Sequence, residues 1–237
     1  VLDLVVKQKL DFEPGTAWSY TNTGFHLVGM ALEKVYKKPY ATLLKERIFD
    51  RVGMRNSREM SLLELVKNRA SGYSFSNKTF RNSEPLRASG AWAAGMILST
   101  PTDLLKWNQA LLDGKLFSKD LVDTMFSPVP FNTGRTYPYG FGWALHRDFG
   151  ENRIEHGGNT FGQTASNTLL REHGICIAML SNKAGASFGS LDREIAKMID
   201  PGTVRARPEP KPDPNPELTK RVRDAFNAFL DKGAKPE

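Results

Sequence analysis

From residue 24 to residue 36 the chain reads GFHLVGMALEKVY, and Phe25, Val28, Leu32 and Val35 recur at the spacing of one helical face. Pro39 ends that element, and a second helix is predicted over about 39–50 with Leu43, Leu44 and Ile48 inside. Ser61 with Glu64 three residues later reads as a capping box opening a helix over 61–67. Around 100–113 the signals are denser. Thr100 caps, Pro101 takes the first helical position, Asp103 sits in the first turn, and Gly114 stops the helix. Its apolar face is predicted to be Leu104, Leu105, Leu111 and Leu112. Ser118 opens a further short helix with Leu121, Val122, Met125 and Phe126.

After residue 135 the texture changes to short runs at strand length. YGFGWALHRD (139–148), NRIEHGG (152–158), QTASNTLL (163–170) and ICIAMLSN (175–182) read as strands separated by turn residues, with Glu172-His173-Gly174 as a hairpin turn. A last helix is expected at about 187–199. Helices first, then an antiparallel meander, then a helix predict an α+β fold: an antiparallel sheet with helices packed on it plus a helical region. No internal repeat is present.

The tail differs again. Residues 201–216 hold six of the fourteen prolines and read as an extended linker. Residues 217–237 follow as an amphipathic helix with Leu218, Val222, Phe226 and Phe229 on one face, which either docks on the preceding domain or opens a further one. The expected division is therefore a domain over 1–200, a linker over 201–216 and a terminal helix over 217–237.

Composition narrows the function classes. The 237 residues are 40% hydrophobic and 25% charged, as in ordinary globular proteins. No apolar run approaches the ~20 residues of a membrane span. The net charge is +7, but the longest cationic cluster is Lys37-Lys38, so nucleic acid is not an expected partner. Cys176 lies in the apolar run ICIAML and reads as a buried, inert thiol; being alone, it forms no intrachain disulfide. The four histidines lack helical metal-ligand spacing and no acidic cluster accompanies them, so neither a metal nor another cofactor is expected. There is no phosphate-binding glycine loop and no G-x-S-x-G elbow.

Two stretches carry candidate chemistry. Tyr20-Thr21-Asn22 stands at a loop-to-helix junction, and His156-Gly157-Gly158 ends the strand RIE. A phenol acts as a general base when nearby cations lower its pKa from ~10. An amide two residues on can hold a carbonyl or an ammonium. Glycines at a strand edge let a substrate backbone approach and leave an N–H for an oxyanion. Read alone, Tyr20 and Asn22 are as readily a packed tyrosine and a helix cap, and His156-Gly157-Gly158 a plain turn.

Together these stretches resemble the class C β-lactamase and penicillin-binding-protein-like serine hydrolases, which include D-aminopeptidases, DD-peptidases and esterases. FEPGTAWSYTNTGF (12–25) carries the family's Pro-Gly turn, aromatic-Ser-Tyr-x-Asn and following helix. ERIFDRVGM (46–54), ASGY (70–73), AAGMILSTPTDLLKW (93–107), YGFGW (139–143) and EHGGNTFG (155–162) follow in family order, so the resemblance covers about 1–200. It implies a β-lactamase/transpeptidase-like fold and an acyl-enzyme mechanism on ester or amide bonds of a small-molecule or peptide-like substrate. Tyr20 then matches the catalytic tyrosine, Asn22 the asparagine that contacts substrate and lysine, and His156 the Lys/His position of the third motif. Gly157 and Gly158 line the substrate, and the N–H of Asn159 is half of the oxyanion hole. Histidine is largely neutral near pH 7, which points to an ester or peptide substrate over a β-lactam.

One element of the family pattern does not match. No serine has a lysine three residues later; Ser76 has Lys78 two residues on, the wrong spacing for a shared helix face. Only 19 residues precede Tyr20, and the family's S-x-x-K lies upstream of Y-x-N. The expectation is an N-terminally truncated catalytic domain, inactive alone, that exposes apolar surface and associates through it. The alternative is a non-catalytic family member that binds ligand without acylating. By resemblance the longer parent is periplasmic or secreted, with cytoplasmic members also known.

Overall fold

The computed structural model describes residues 2–61, 63–83, 91–146, 152–203 and 212–231. The elements run α1 (Leu2–Val5), α2 (Asn22–Tyr36), α3 (Tyr40–Leu44), α4 (Asp50–Val52), β1 (Arg58–Glu59), β2 (Tyr73–Ser76), β3 (Thr79–Asn82), β4 (Ile97–Leu98), α5 (Pro101–Leu112), α6 (Lys119–Met125), β5 (Ala144–His146), β6 (Arg153–Thr160), β7 (Gln163–Leu170), β8 (Ile175–Ser181), α7 (Leu191–Ile199) and α8 (Pro216–Asp231). A single wider helical turn, Lys45–Phe49, joins α3 to α4. The chain divides into two compact units, Val1–Arg205 and Ala206–Glu237. Residues 204–211 of the proline-rich stretch, 147 and 148 of the run 139–148, Leu62, and the side chain of Phe229 lie outside the described residues.

The fold of the first unit is α+β, built on an antiparallel sheet of order β5-β6-β7-β8. Every neighbour in it is also the next strand in sequence, so short connections suffice. Alternation along β6 and β7 sends Ile154 and Leu169 to one face, where they pack with Leu111 of α5 and Trp143. Leu170, Ile175 and Ile177 point to the other face and meet Ala196 of α7. Arg153, Asp192 and Thr168 secure that second contact: Arg153 pairs with Asp192 at 2.7 Å, with both side chains largely buried. Cys176 is half-buried in β8, and burial pushes its thiol up to about 11, which keeps it protonated and unreactive at neutral pH.

Helix α5 forms as its caps predict, with Thr100 Oγ1 accepting from the N–H of Asp103. Its buried face is only partly the one predicted: Leu111 is buried and Leu104 and Leu112 are half-buried, but polar residues join them. Asp103, Asn108, Ala110 and Leu111 are buried, and Leu105 is exposed. Two polar residues go inside because each finds partners. Asp103 Oδ2 accepts from the N–H of Asn56 at 2.8 Å and from Ser57 Oγ at 3.0 Å, and Oδ1 accepts from Lys106 Nζ at 2.9 Å. A leucine there would leave the loop before β1 without its acceptor.

Three other expectations change. The described residues of 61–67 form no helix: Ser61 Oγ accepts from the N–H of Leu63, Glu64 pairs with Arg58, and Leu63 and Leu65 remain almost fully exposed. Without a core to face, the apolar positions there have nothing to stabilise a helix. The run 139–148 is a strand only from Ala144, because Gly142 (φ 77°) turns the chain just before it. Along α2, the predicted apolar face is outside: Phe25 is 42%, Val28 54% and Val35 72% exposed. The buried side is His26 and Gly29, against the turn Trp92–Ala94. Gly29 is required there, since a Cβ would lie 2.5 Å from the Cβ of Ala93.

In the second unit, Asn215 Oδ1 accepts from the N–H of Leu218 at the start of α8. Leu218, Val222 and Phe226 recur on one exposed face of that helix. Among the described residues no helix is long and apolar enough to cross a membrane.

The Asp103 hub sets an acid sensitivity. Burial opposes its charge, but the hydrogen bonds from Lys106, Asn56 and Ser57 and the lysine's charge outweigh it, so the carboxyl lies below its ordinary value. A depressed folded pKa stabilises above the unfolded value of ~3.9, and that contribution is lost as pH falls through the folded pKa. Asp103→Ala is expected to cost about 2–3 kcal/mol in urea unfolding at pH 7. It should also flatten the fall in stability that the parent chain shows below about pH 4. Unchanged stability at both pH values contradicts this account.

Candidate active site

The site begins with a hairpin. Thr160 and Gln163 are paired across a loop of two residues, Phe161 and Gly162. A pair closed by two residues exchanges both backbone hydrogen bonds, and the pattern then alternates along the ladder. His156 and Gly158 therefore bond to β7, while Gly157 and Asn159 turn their N–H and C=O groups the other way. On that side β5 reaches no further than Ala144, opposite Glu155. The backbone groups of Gly157 and Asn159 consequently face an open sheet edge. A Cβ on Gly158 would meet nothing within 4 Å, so the sheet face beside His156 is open there.

Tyr20 approaches this strand from the other end of the unit's sequence. Thr21, not Asn22, caps α2, with Oγ1 accepting from the N–H of Thr23 at 3.1 Å. Tyr20 therefore lies just ahead of the helix, 52% exposed. Its ring and the His156 imidazole lie with centroids 6.0 Å apart and planes at 28°. Two residues separated by 136 positions in sequence thus share one cleft wall (156 − 20). Asn22 occupies the first helical position, exposed, and its amide makes no hydrogen bond among the described residues. The side chain of Asn159 lies on the opposite face of β6 from His156, where Oδ1 accepts from Thr164 Oγ1 at 2.8 Å.

Three aromatic residues outside the sequence-derived site complete the wall. Tyr139 Oη lies 2.9 Å from His156 Nε2, and its ring meets Tyr20 edge-on at 6.2 Å. Trp18 stacks on Tyr137 with centroids 3.9 Å apart and planes at 12°, and lies 5.2 Å from Tyr139. A cavity of about 240 Å³ opens beside them, lined chiefly by Trp18, Tyr20, Phe25, Val28 and Tyr139. Burial, and then the neighbouring Tyr20, push the Tyr139 phenol up to about 12. The signal for these residues was in the sequence: Trp18/Tyr20 and Tyr137/Tyr139 are aromatic pairs two apart, which extended chain places on one side.

Behind His156 lies its cross-strand partner Asn167. Asn108 of α5 and Asn167 exchange two amide hydrogen bonds, at 2.6 and 2.9 Å, with Asn108 fully buried. This pair ties the helix to the strand position that faces the imidazole. Among the described residues no three His, Cys, Asp or Glu side chains cluster as a metal site would need.

The Beta-lactamase family profile matches residues 1–198. The chain belongs to the Beta-lactamase family. Among its relatives, "Penicillin-binding protein 4*" of Bacillus subtilis (strain 168) is 30% identical over 198 residues, which is 77% of this chain and 44% of that protein. The octameric penicillin-binding protein homologue from Pyrococcus abyssi has a similar structure, with a TM-score of 0.69 and 26% identity, covering 79% of this chain and 44% of that one. D-amino acid amidase from Ochrobactrum anthropi SV3, complexed with D-phenylalanine, gives a TM-score of 0.65 at 25% identity, over 84% of this chain and 62% of that one. The chain thus spans less than half the length of the curated relative it matches at 30% identity.

The aromatic wall depends on one glycine of the family stretch YGFGW. A Cβ on Gly140 would collide with the carbonyl of Met125, a backbone atom that cannot swing aside. Gly140→Ala is expected to cost about 1–3 kcal/mol and to reduce the near-ultraviolet circular dichroism of the packed rings. Retention of both stability and signal shows that the turn tolerates displacement.

Proposed function

We propose that this chain carries the proton-handling and sheet-side walls of a serine hydrolase site that acts on ester or amide bonds through an acyl-enzyme. The observation that carries the reading is the meeting of Tyr20 and His156 on one cleft wall, 6.0 Å between rings, beside the open edge of β6. A hydroxyl nucleophile attacking a carbonyl must lose its proton and return one to the leaving group. Tyr20 stands where a phenol could shuttle that proton, exposed to the cleft. The tetrahedral oxyanion needs preorganised donors, and the outward N–H of Asn159 is one. Gly157 and Gly158 leave room for substrate backbone, and Asn22 offers an amide at the helix start.

The nucleophile is a separate matter. None of the serines has a lysine at the third position on, so the chain offers no S-x-x-K pair and only half of an oxyanion hole. In this reading the chain alone does not acylate. A substrate with an acyl or peptidyl group of aromatic or apolar character suits the cavity beside Trp18 and Tyr20. Support for amide chemistry comes from the likeness to D-amino acid amidase. The missing S-x-x-K pair also favours a second reading, a family member that binds such ligands without turning them over.

Two measurements separate these outcomes. The purified 237-residue chain is expected to give no burst with a chromogenic β-lactam or an activated ester; a stoichiometric burst with a covalent mass increase sinks the claim. In a longer form supplying S-x-x-K, Tyr20→Phe should lower the acylation rate by about 10²- to 10⁴-fold. An unchanged rate removes the role given to Tyr20, and a longer form that binds without any burst supports the second reading.

A further inference from the structure

We infer that Tyr139 is a positioning residue that locks the His156 ring: the Gly157 carbonyl holds the proton on Nδ1, and the Tyr139 phenol holds the lone pair of Nε2. The functional meaning of this lock rests on the hydrolase reading of the cleft; its geometry does not.

The argument starts from the Gly157 carbonyl, which lies 2.7 Å from His156 Nδ1. A carbonyl oxygen only accepts, so a contact this short requires a hydrogen on Nδ1. The opposite tautomer would set two lone pairs against each other at that distance. In a neutral imidazole with Nδ1–H, Nε2 carries the lone pair. The group 2.9 Å from Nε2 is the hydroxyl of Tyr139, which has a hydrogen to give. Both ring nitrogens are thereby satisfied, one by the strand's own backbone and one by a side chain from the turn before β5.

That turn is built to hold the phenol still. Gly140 donates its N–H to the carbonyl of Trp143 at 2.8 Å, Tyr139 donates to Tyr137 at 2.7 Å, and Leu145 donates to Pro138 at 2.9 Å. Gly142 supplies the left-handed step at φ 77°. The chain then enters β5, whose Ala144 pairs with Glu155, the residue before His156. Backbone pairing thus carries Tyr139 to the imidazole, and Trp18 and Tyr20 hold the ring from its other sides.

Two consequences follow for the site. With its lone pair engaged, His156 Nε2 is not the base that takes the nucleophile's proton, so proton transfer falls to Tyr20. With the Gly157 carbonyl engaged by Nδ1–H, the open groups on the edge of β6 are the N–H of Gly157 and the N–H and C=O of Asn159, which limits where a substrate backbone can pair.

The test is the imidazole tautomer, read by long-range ¹H–¹⁵N correlation on the ¹⁵N-labelled 237-residue chain at a pH of about 8.5, where an ordinary imidazole is neutral. His156 is assigned by the loss of its signals in His156→Asn. The wild-type ring should show a protonated Nδ1 and a bare Nε2. Tyr139→Phe, which keeps the aromatic ring, should leave Nδ1 protonated but free the Nε2 lone pair, moving the Nε2 resonance downfield toward the value of an unbonded imidazole nitrogen. A wild-type ring protonated on Nε2 overturns the inference, as does an unchanged Nε2 resonance in a folded Tyr139→Phe variant. If that variant does not fold, the wild-type spectrum decides alone. Failure of the hydrolase reading would appear in the acylation measurements and leave the tautomer pattern unmoved.

Discussion

Two residues, Phe161 and Gly162, join β6 to β7, and that short connection fixes eight cross-strand pairs from Thr160↔Gln163 to Arg153↔Leu170. Side chains alternate faces with a period of two, so a slip of one position would turn Ile154 out of the core and carry His156 to the wrong face. Gly162 has φ 102°, and its ideal Cβ would sit 2.7 Å from the Cα of Gly72, so the hairpin tip admits only glycine on both sides of that contact. The register is therefore set at the loop and checked against β2. Core packing, the outward N–H of Asn159 and the position of the imidazole all depend on it.

The same sheet face carries a polar layer. Asn108 and Asn167 sit where an apolar pair would pack as well, and they satisfy each other. Buried amides contribute little net stability, but an amide finds its partner in only one arrangement, while leucines accept many. Asp103 does the same at the start of α5, gathering the loop before β1. The helix is tied to the sheet by the Asn108–Asn167 pair and to the loop before β1 by Asp103, with Leu111 packing beside Trp143.

Much of this was legible in advance. The three long strands follow from alternation and length, and α5 and α6 from their caps, because these signals are local. What was not legible depended on neighbours. Leu105 and Asp103 exchange expected roles because only the fold shows that Asn56 and Ser57 stand opposite Asp103. Residues 61–67 have the caps of a helix and lack the core that would hold one. At the site, Tyr20 and His156 were found by their residue types and order, whereas Tyr139 was passed over inside YGFGW. Its role comes from a contact 17 positions away with His156, and no periodicity encodes that.

The meander also has a history in time. β5 to β8 pair only with their neighbours in sequence, so their loops are short and close at little entropic cost. The contacts that attach the remainder are long: Asn182 Nδ2 reaches the carbonyl of Ser71 across 111 positions, and Tyr73 donates to the carbonyl of Asn182 at 2.8 Å. Contact order places the sheet early and this suture late. The cleft, which brings Tyr20 to His156 from far apart in sequence, is then among the last features to assemble. A chain caught partway would hold its imidazole in place before its tyrosine arrived.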